Sequence, residues 1–265
     1  RNLLTSVKRL ANRCTPLGVV QGWCPETMAE AALSLKKMGY QYLAIGGMVP
    51  LRAPAIMKVL TAIQQAVGPD MPLHILGFAK AEQISEFING DFGIASFDTT
   101  SPLLRAFKDN SRNYFAIKPE GGLAYYSAIR IPQATENNRL KNLAREGIYS
   151  QESLQHREQA ALHSMRSFDK GEANIKDTLE AVMSYAAPIT VGRDEVHSPQ
   201  DEKKLSSLRE RYRETLEASP WKDCPCAICQ KVGVEVIIFR GSNRNKRRGI
   251  HNLQAYQHHI NRLRG

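Results

Sequence analysis

Residues 17–48 read LGVVQGWCPETMAEAALSLKKMGYQYLAIGGM. A short apolar run, 17–20, ends at Gln21-Gly22. An amphipathic stretch follows over 25–38. Pro25 stands where a first-turn proline is tolerated, and Gly39 where a helix C-cap favours glycine. A second apolar run, 42–45, ends at Gly46-Gly47. The order recurs downstream, with apolar runs at 73–76 and 93–97 and helices predicted at 53–67 and 81–88. Strand and helix alternating at this spacing predict parallel βα units in an α/β fold. A closed (β/α)8 barrel needs eight such units in about 250 residues. Here there are four, and residues 1–16 supply no more. The prediction is a small open sheet or half of a TIM-type barrel.

After Phe97 the character changes. Residues 99–130 read as loop and short extended pieces, punctuated by Gly121-Gly122 and Pro132. Residues 135–217 are polar and helical, with Leu140, Leu143, Ile148, Leu154, Leu162 and Met165 at patchy helical spacing. Within them 192–204 reads as a solvated charged loop. The last segment holds three crowded cysteines, an apolar strand at 234–239, a basic loop at 240–248 and a final helix from about His251. The expected division is therefore 1–130 (βα units), 131–220 (helical insert) and 221–265 (a cysteine-rich metal-binding subdomain).

The chain has 265 residues, 42% of them hydrophobic and 23% charged, which excludes collagen, low-complexity disorder and a disulfide miniprotein. No run approaches the roughly 20 apolar residues of a membrane span, so no membrane partner is expected. Residues 1–10 carry no apolar core of a signal peptide. The 36 Lys and Arg outnumber the 26 Asp and Glu, for a net charge of +10. That excess favours a polyanionic partner, most simply nucleic acid. The segment Arg240-Gly-Ser-Asn-Arg244-Asn-Lys246-Arg247-Arg248 concentrates the charge and is placed to contact phosphates.

Cys224-Pro-Cys226-Ala-Ile-Cys229 presents three thiols in six residues. Without a secretion signal this is a metal pattern, in a reducing and so cytoplasmic compartment. Zinc takes four thiolate or imidazole ligands in a tetrahedron, and one loop can supply three. His251, His258 and His259 compete for the fourth place. Four protein ligands close a site, so this Zn2+ should hold structure. Cys14 and Cys24 read as small buried apolar residues.

In parallel α/β folds ligands bind at the carboxyl ends of strands. Those ends carry Gln21, the Gly46-Gly47-Met48 turn, Leu76 and Asp98. An amide, bare backbone, an apolar wall and a carboxylate suit a planar hydrogen-bonding heterocycle. Asp98 can attack a sugar carbon, or it can cap the helix that Thr99-Thr-Ser would start. Gln21 reads equally as a turn residue, and His74 as structural.

Together these residues resemble the tRNA-guanine transglycosylase family, which exchanges a guanine in a polynucleotide for a 7-deazaguanine. Leu17-Gly-Val-Val-Gln21-Gly22 is similar to its strand ending in Gln-Gly, and Tyr42-Leu-Ala-Ile-Gly46-Gly47-Met48 to its Gly-Gly-Leu turn. His74-Ile-Leu76-Gly77 is similar to its Leu-Met-Gly strand, and Gly93-Ile-Ala-Ser-Phe97-Asp98 to the strand ending in the catalytic Phe-Asp. The cysteine motif with Gln230, and His251-Asn252, resemble its zinc site.

The resemblance implies a base-exchanging pentosyltransferase. Asp98 would be the nucleophile at the sugar C1′. Gln21 and the Gly46/Gly47 backbone would bind the base, with Met48 and Leu76 against its plane. Cys224, Cys226, Cys229 and His251 would hold zinc. The substrates would be nucleic acid and a free 7-deazaguanine base. The stretch Asp98-Thr-Thr-Ser-Pro-Leu103 and the long helical insert are more like the DNA-guanine transglycosylases, so DNA is expected over tRNA. The family's Asp-Ser-Gly-Gly general acid turn does not occur in these residues. The chain therefore looks like the carboxyl half of the enzyme, completed by further sequence, by a partner chain or by a second copy. The alternative is a zinc-stabilised nucleic-acid-binding module without chemistry.

Overall fold

The structure, a computed structural model, describes residues 14–78, 80, 83–109, 111–193 and 198–264. The chain divides into two compact units, Arg1–Ser101 with Ile260–Gly265, and Pro102–His259.

The first unit is built on four strands, β1 (Gly18–Val20), β2 (Leu43–Ile45), β3 (Leu73–Ile75) and β4 (Ile94–Phe97). They pair in chain order, all parallel, with Val20 opposite Ile45 and Ile45 opposite Ile75. Helices α1 (Pro25–Lys37), α2 (Ala53–Val67) and α3 (Ile84–Asn89) make the crossovers. Strands in simple order with crossovers of one hand put their helices on one face. The residue alternation agrees: Val20, Leu43, Ile45, Leu73 and Ile75 are fully buried, whereas Val19 between them is 52% exposed. α2 buries Ile56, Val59, Leu60, Ile63 and Val67, the stripe of an amphipathic helix. Phe78 and Phe87 pack edge to face at 4.9 Å. The four βα units are thus where the alternation put them. The described residues form an open parallel sheet and no closed barrel.

Residues 99–130 hold the expected short extended pieces, and a helix besides. Helix α4 (Ser101–Lys108) opens there, started by Thr99, whose hydroxyl accepts the Ser101 N–H at 3.1 Å. An antiparallel hairpin follows, β5 (Tyr114–Ile117) with β6 (Leu123–Tyr126). Its turn uses Gly121 and Gly122 at φ of 105° and 87°, where a side chain would be strained.

The second unit continues with β7 (Ile129–Arg130) and helices α5 (Asn138–Arg145), α6 (Gln151–Lys170), α7 (Ile175–Val191) and α8 (Pro199–Ala218). Then come α9 (Ala227–Val232), a 3-10 turn (Gly233–Val236), β8 (Ile238–Phe239) and α10 (Ser242–Arg264). Three expectations are corrected here. The charged stretch 192–204 is not all loop, because Ser198 caps α8 through the Asp201 N–H at 3.1 Å and the helix starts at Pro199; residues 194–197 lie outside the described residues. The strand at 234–239 shrinks to two residues, paired parallel with β7. The basic loop 240–248 is mostly the first turns of α10.

The expected boundaries at 130 and 220 are not those of the compact units. One core joins Tyr114, Ile129, Leu154, Met165, Tyr185, Tyr212, Trp221, Cys229 and Ile238, so hairpin, helices and cysteine segment pack as one body. The Trp221 indole donates to Asp169 at 2.6 Å, and the buried Glu158 accepts the Ala134 N–H at 2.7 Å and pairs with Arg240.

Phe87→Ala should cost about 3–5 kcal/mol of the first unit's stability, because it opens a cavity beside Phe78 and under the sheet. Urea titration followed by circular dichroism measures it. A loss under about 1 kcal/mol would mean that this ring is not part of a tight core.

Candidate functional site

The carboxyl ends of the four strands are laced together. Gly46 N–H donates to Val20 O at 3.0 Å, Leu76 N–H to Ile45 O at 3.0 Å, and Asp98 N–H to Ile75 O at 3.3 Å. These bonds bring Gln21, Gly46, Leu76 and Asp98 into one row along the sheet edge. Gln21 is exposed and lies over Gly46, where an added Cβ would sit 3.7 Å from its Nε2. Gly47 and Leu76 are exposed. Met48 departs from its expected place against a ligand: it is 2% exposed and belongs to the core.

Asp98 is fixed on one side only. Its backbone carbonyl accepts the Phe78 N–H at 2.8 Å. Its Oδ1 accepts from Gly77 N at 3.0 Å and meets His74 Nε2 at 3.3 Å. Oδ2 has no partner among the described residues. The carboxylate is 56% exposed. Among the described residues the bonds of the Asp98 carboxylate go to Gly77 and His74 and not to the start of α4, where the Thr99 hydroxyl accepts the Ser101 N–H. Gly77 holds φ at +69°, and a Cβ there would lie 2.8 Å from Val49 Cγ2, so glycine is required for the N–H to reach the carboxylate.

His74 was not legible as a functional residue. Its Nδ1 lies 2.7 Å from Ser96 Oγ, and Ser96 Oγ lies 2.5 Å from the Tyr42 hydroxyl. A carboxylate only accepts, so Nε2 carries the proton toward Asp98. With neutral imidazole the polar chain then has one direction: Tyr42 donates to Ser96, Ser96 to His74, and His74 to Asp98. The signal that could have found it is parity. His74 alternates with the buried Leu73 and Ile75, so it points away from the helices, on the side of Asp98.

In the second unit Cys224, Cys226, Cys229 and His251 bring their ligand atoms within 4.8 Å of one another. Cys226 caps α9, accepting the Cys229 N–H at 3.3 Å, which folds the loop around its own sulfurs. His251, on α10, turns Nδ1 to the three sulfurs at 3.3–3.6 Å. Its Nε2 donates to Phe115 O at 2.7 Å, and its ring stacks on Tyr114 at 4.2 Å. The neighbouring Asn252 ties α10 to β5, accepting the Phe115 N–H at 3.0 Å. His258 lies seven residues along the helix, about 10 Å farther on, and does not join the cluster.

The protonation states show why such a cluster wants a cation. The hydrogen bond from Cys229 holds the Cys224 thiol down at about 3, and that shared bond, with burial, pushes Cys229 far up. Burial pulls His251 down, but Cys224 and Cys226 outweigh it and carry it up to about 9. The cluster keeps protons on Cys229 and His251, because its sulfurs cannot all ionise side by side. A divalent ion replaces those protons, and the donor set with a carbonyl behind the imidazole fits one.

The basic segment is divided. Arg248 is fully buried: its guanidinium donates to Val236 O, Ile238 O, Ala106 O and Asn245 Oδ1 at 2.6–3.4 Å and lies over the Phe239 ring. Burial draws its pKa down to about 9. Arg240 pairs with Glu158, and Arg244 with Glu235 at 2.6 Å. Only Lys246 and Arg247 of the five are exposed. The expectation that all five face phosphate is corrected: helix formation turned alternate residues inward. Cys14 and Cys24 are also not buried; the first is exposed and the second half-buried beside Thr27.

The described residues thus form an α/β protein with a parallel βα sheet, a carboxylate at its carboxyl edge and a Cys3His cluster that could hold a metal ion. No family model matches the chain. A DNA-guanine transglycosylase of Salmonella montevideo is 37% identical over 249 residues, which are 94% of this chain and 56% of that protein. The chain thus spans about half the length of this curated relative. The kinship that the motifs suggested is borne out. No helix among the described residues is long and apolar enough to cross a membrane.

Cys226→Ser should drop bound metal, measured by atomic absorption, from one equivalent to near none, and metal uptake by the unaltered chain near pH 8 should release protons to a weakly buffered solution. Arg248→Met should lower stability by about 3 kcal/mol, because it strands buried carbonyl acceptors. Lys246→Ala should stay within about 0.5 kcal/mol in the same thermal denaturation.

Proposed function

We propose that this chain carries the nucleophilic side of a guanine transglycosylase, replacing guanine in a polynucleotide with a 7-deazaguanine. The observation that carries it is the one-sided fixing of Asp98. His74 and Gly77 hold Oδ1, so Oδ2 is the oxygen left to attack. Oδ2 forms a bond to C1′ as the C1′–N9 bond breaks, and the electron pair leaves with guanine. The family's Asp-Ser-Gly-Gly turn, in the other half of a (β/α)8 barrel, supplies the proton for that base. The incoming base then attacks C1′ through N9, giving its N9 proton to the aspartate of that same turn, and the C1′–O bond to Asp98 breaks to release the carboxylate. Two displacements retain configuration.

Gln21 and the Gly46/Gly47 backbone bind the base edge, with Leu76 beside it. The relative's name and the Asp98-Thr-Thr-Ser-Pro-Leu103 stretch favour DNA over tRNA. The metal is Zn2+, because three thiolates and an imidazole at these distances match a tetrahedron with bonds of about 2.0–2.3 Å. It closes the site with four protein ligands and fastens α10 to the hairpin. Tyr42, Ser96 and His74 act on the reaction only through the position of Asp98.

The test offers the full-length gene product a labelled 7-deazaguanine with duplex DNA and with tRNA separately. Label in DNA supports the whole reading. Label in tRNA alone keeps the chemistry and overturns the choice of polymer, and label in neither overturns the exchange. Asp98→Asn should abolish incorporation with polymer binding unchanged. His74→Phe should lower kcat by as much as ~100-fold with KM for the polymer little changed, since it loosens an attacking oxygen and removes no substrate contact.

A further inference from the structure

The helical part of the second unit carries a cleft that the exchange reading leaves without a role. Its volume is about 650 Å³, within the roughly 300–1,000 Å³ of small-molecule sites. α7 and α8 form its long walls, and Ile189, Leu208 and Phe239 give it apolar patches. Its rim is cationic: Arg130, Arg139, Lys203, Lys204 and Arg211 line it, against one carboxylate, Asp109.

The state of those charges marks this cleft. Several arginines elsewhere on the unit are held by carboxylates. Arg166 meets Glu235 at 2.8 Å, Arg209 meets Glu180 at 2.7 Å, and Arg213 meets Glu217 at 2.7 Å. At the cleft, Arg130, Arg139, Lys203 and Arg211 pair with no carboxylate among the described residues. Lys204 shares Asp201 at 3.3 Å. Asp109 is turned to its own loop, accepting from Ser111 N at 2.8 Å and Arg112 N at 3.0 Å. Arg211 is steadied by Ser207 Oγ at 2.9 Å, which holds a guanidinium at the wall without neutralising it. Like charges gathered around a cavity repel one another. The arrangement lowers its free energy by taking an anion, and guanidinium forks with apolar patches suit a phosphate carried on an organic body.

We propose that this cleft is a phosphate site that holds the phosphodiester backbone of the polynucleotide, at a distance along the chain from the strand-end carboxylate. The choice of a strand over a free nucleotide rests on the exchange reading; the phosphate chemistry does not. Each phosphate held by a cation releases counterions, so the site contributes to the salt dependence of binding.

The test uses full-length protein and the triple variant R130Q/R139Q/K203Q. A control, R145Q/K170Q/K176Q, removes the same charge from exposed positions away from the cleft. Duplex binding is measured over a range of salt. The cleft variant should bind at least tenfold more weakly and lose about 2–3 from the slope of log affinity against log salt, roughly 0.9 per contact. The control should keep nearly the full slope, with label incorporation at saturating DNA unchanged. Equal effects of the two variants, or none from the cleft variant, would overturn the site. A second arm titrates deoxyguanosine monophosphate. If the cleft variant loses that binding yet keeps the duplex slope, the strand assignment is overturned in favour of a free nucleotide. Unaltered protein that shows the cleft-dependent slope but incorporates no label would sink the exchange reading and leave the cleft standing.

Discussion

The imidazole of His251 is the point on which the second unit turns. One nitrogen faces three sulfurs and the other holds Phe115 O, so a single ring joins the α9 loop, α10 and the first strand of the hairpin. Asn252, next in sequence, repeats the tie with the Phe115 N–H and with the carbonyls of Pro102 and Asn113. Burial of these polar groups would be costly unpaired, and each is paired. The consequence is a rigid joint between elements more than a hundred residues apart in sequence. A metal ion there would bond all four donors across a joint whose other partners are already in place.

The first unit relies on a different device. Its strands are only three or four residues long, too short to present much of a binding surface. What they do is deliver four unlike groups to one edge, because the parallel ladder continues one bond past each strand. Asp98 gains its orientation there, from a glycine N–H and a histidine whose far side is anchored through Ser96 to Tyr42. A carboxylate with one oxygen tethered and the other open is the arrangement that the proposed attack requires.

Charge in this protein is a poor guide to contact. The most basic stretch of the sequence forms a helix, and a helix turns residues in as readily as out. Arg248 became a core residue that satisfies carbonyls, while Arg240 and Arg244 found carboxylates. A group of cations without a carboxylate partner among the described residues lines a cleft among α5, α7, α8 and β7, assembled from Arg130, Arg139, Lys203 and Arg211, which no run of sequence brings together.

The βα alternation from 17 to 97, the three-cysteine loop and the strand-end residues were legible in the sequence alone. Each is a local pattern: periodicity, spacing, or a residue placed just past an apolar run. The pairing of the hairpin strands and the helical start at Ser242 were not, because short segments take their structure from what they pack against. The choice of His251 over His258, the burial of Met48 and Arg248, and the link from His74 to Asp98 belong to the tertiary structure. Each depends on a neighbour distant along the chain, such as Phe115 for His251 or Ala106 for Arg248. Distances through space between such residues are set by packing, which no single stretch of sequence encodes.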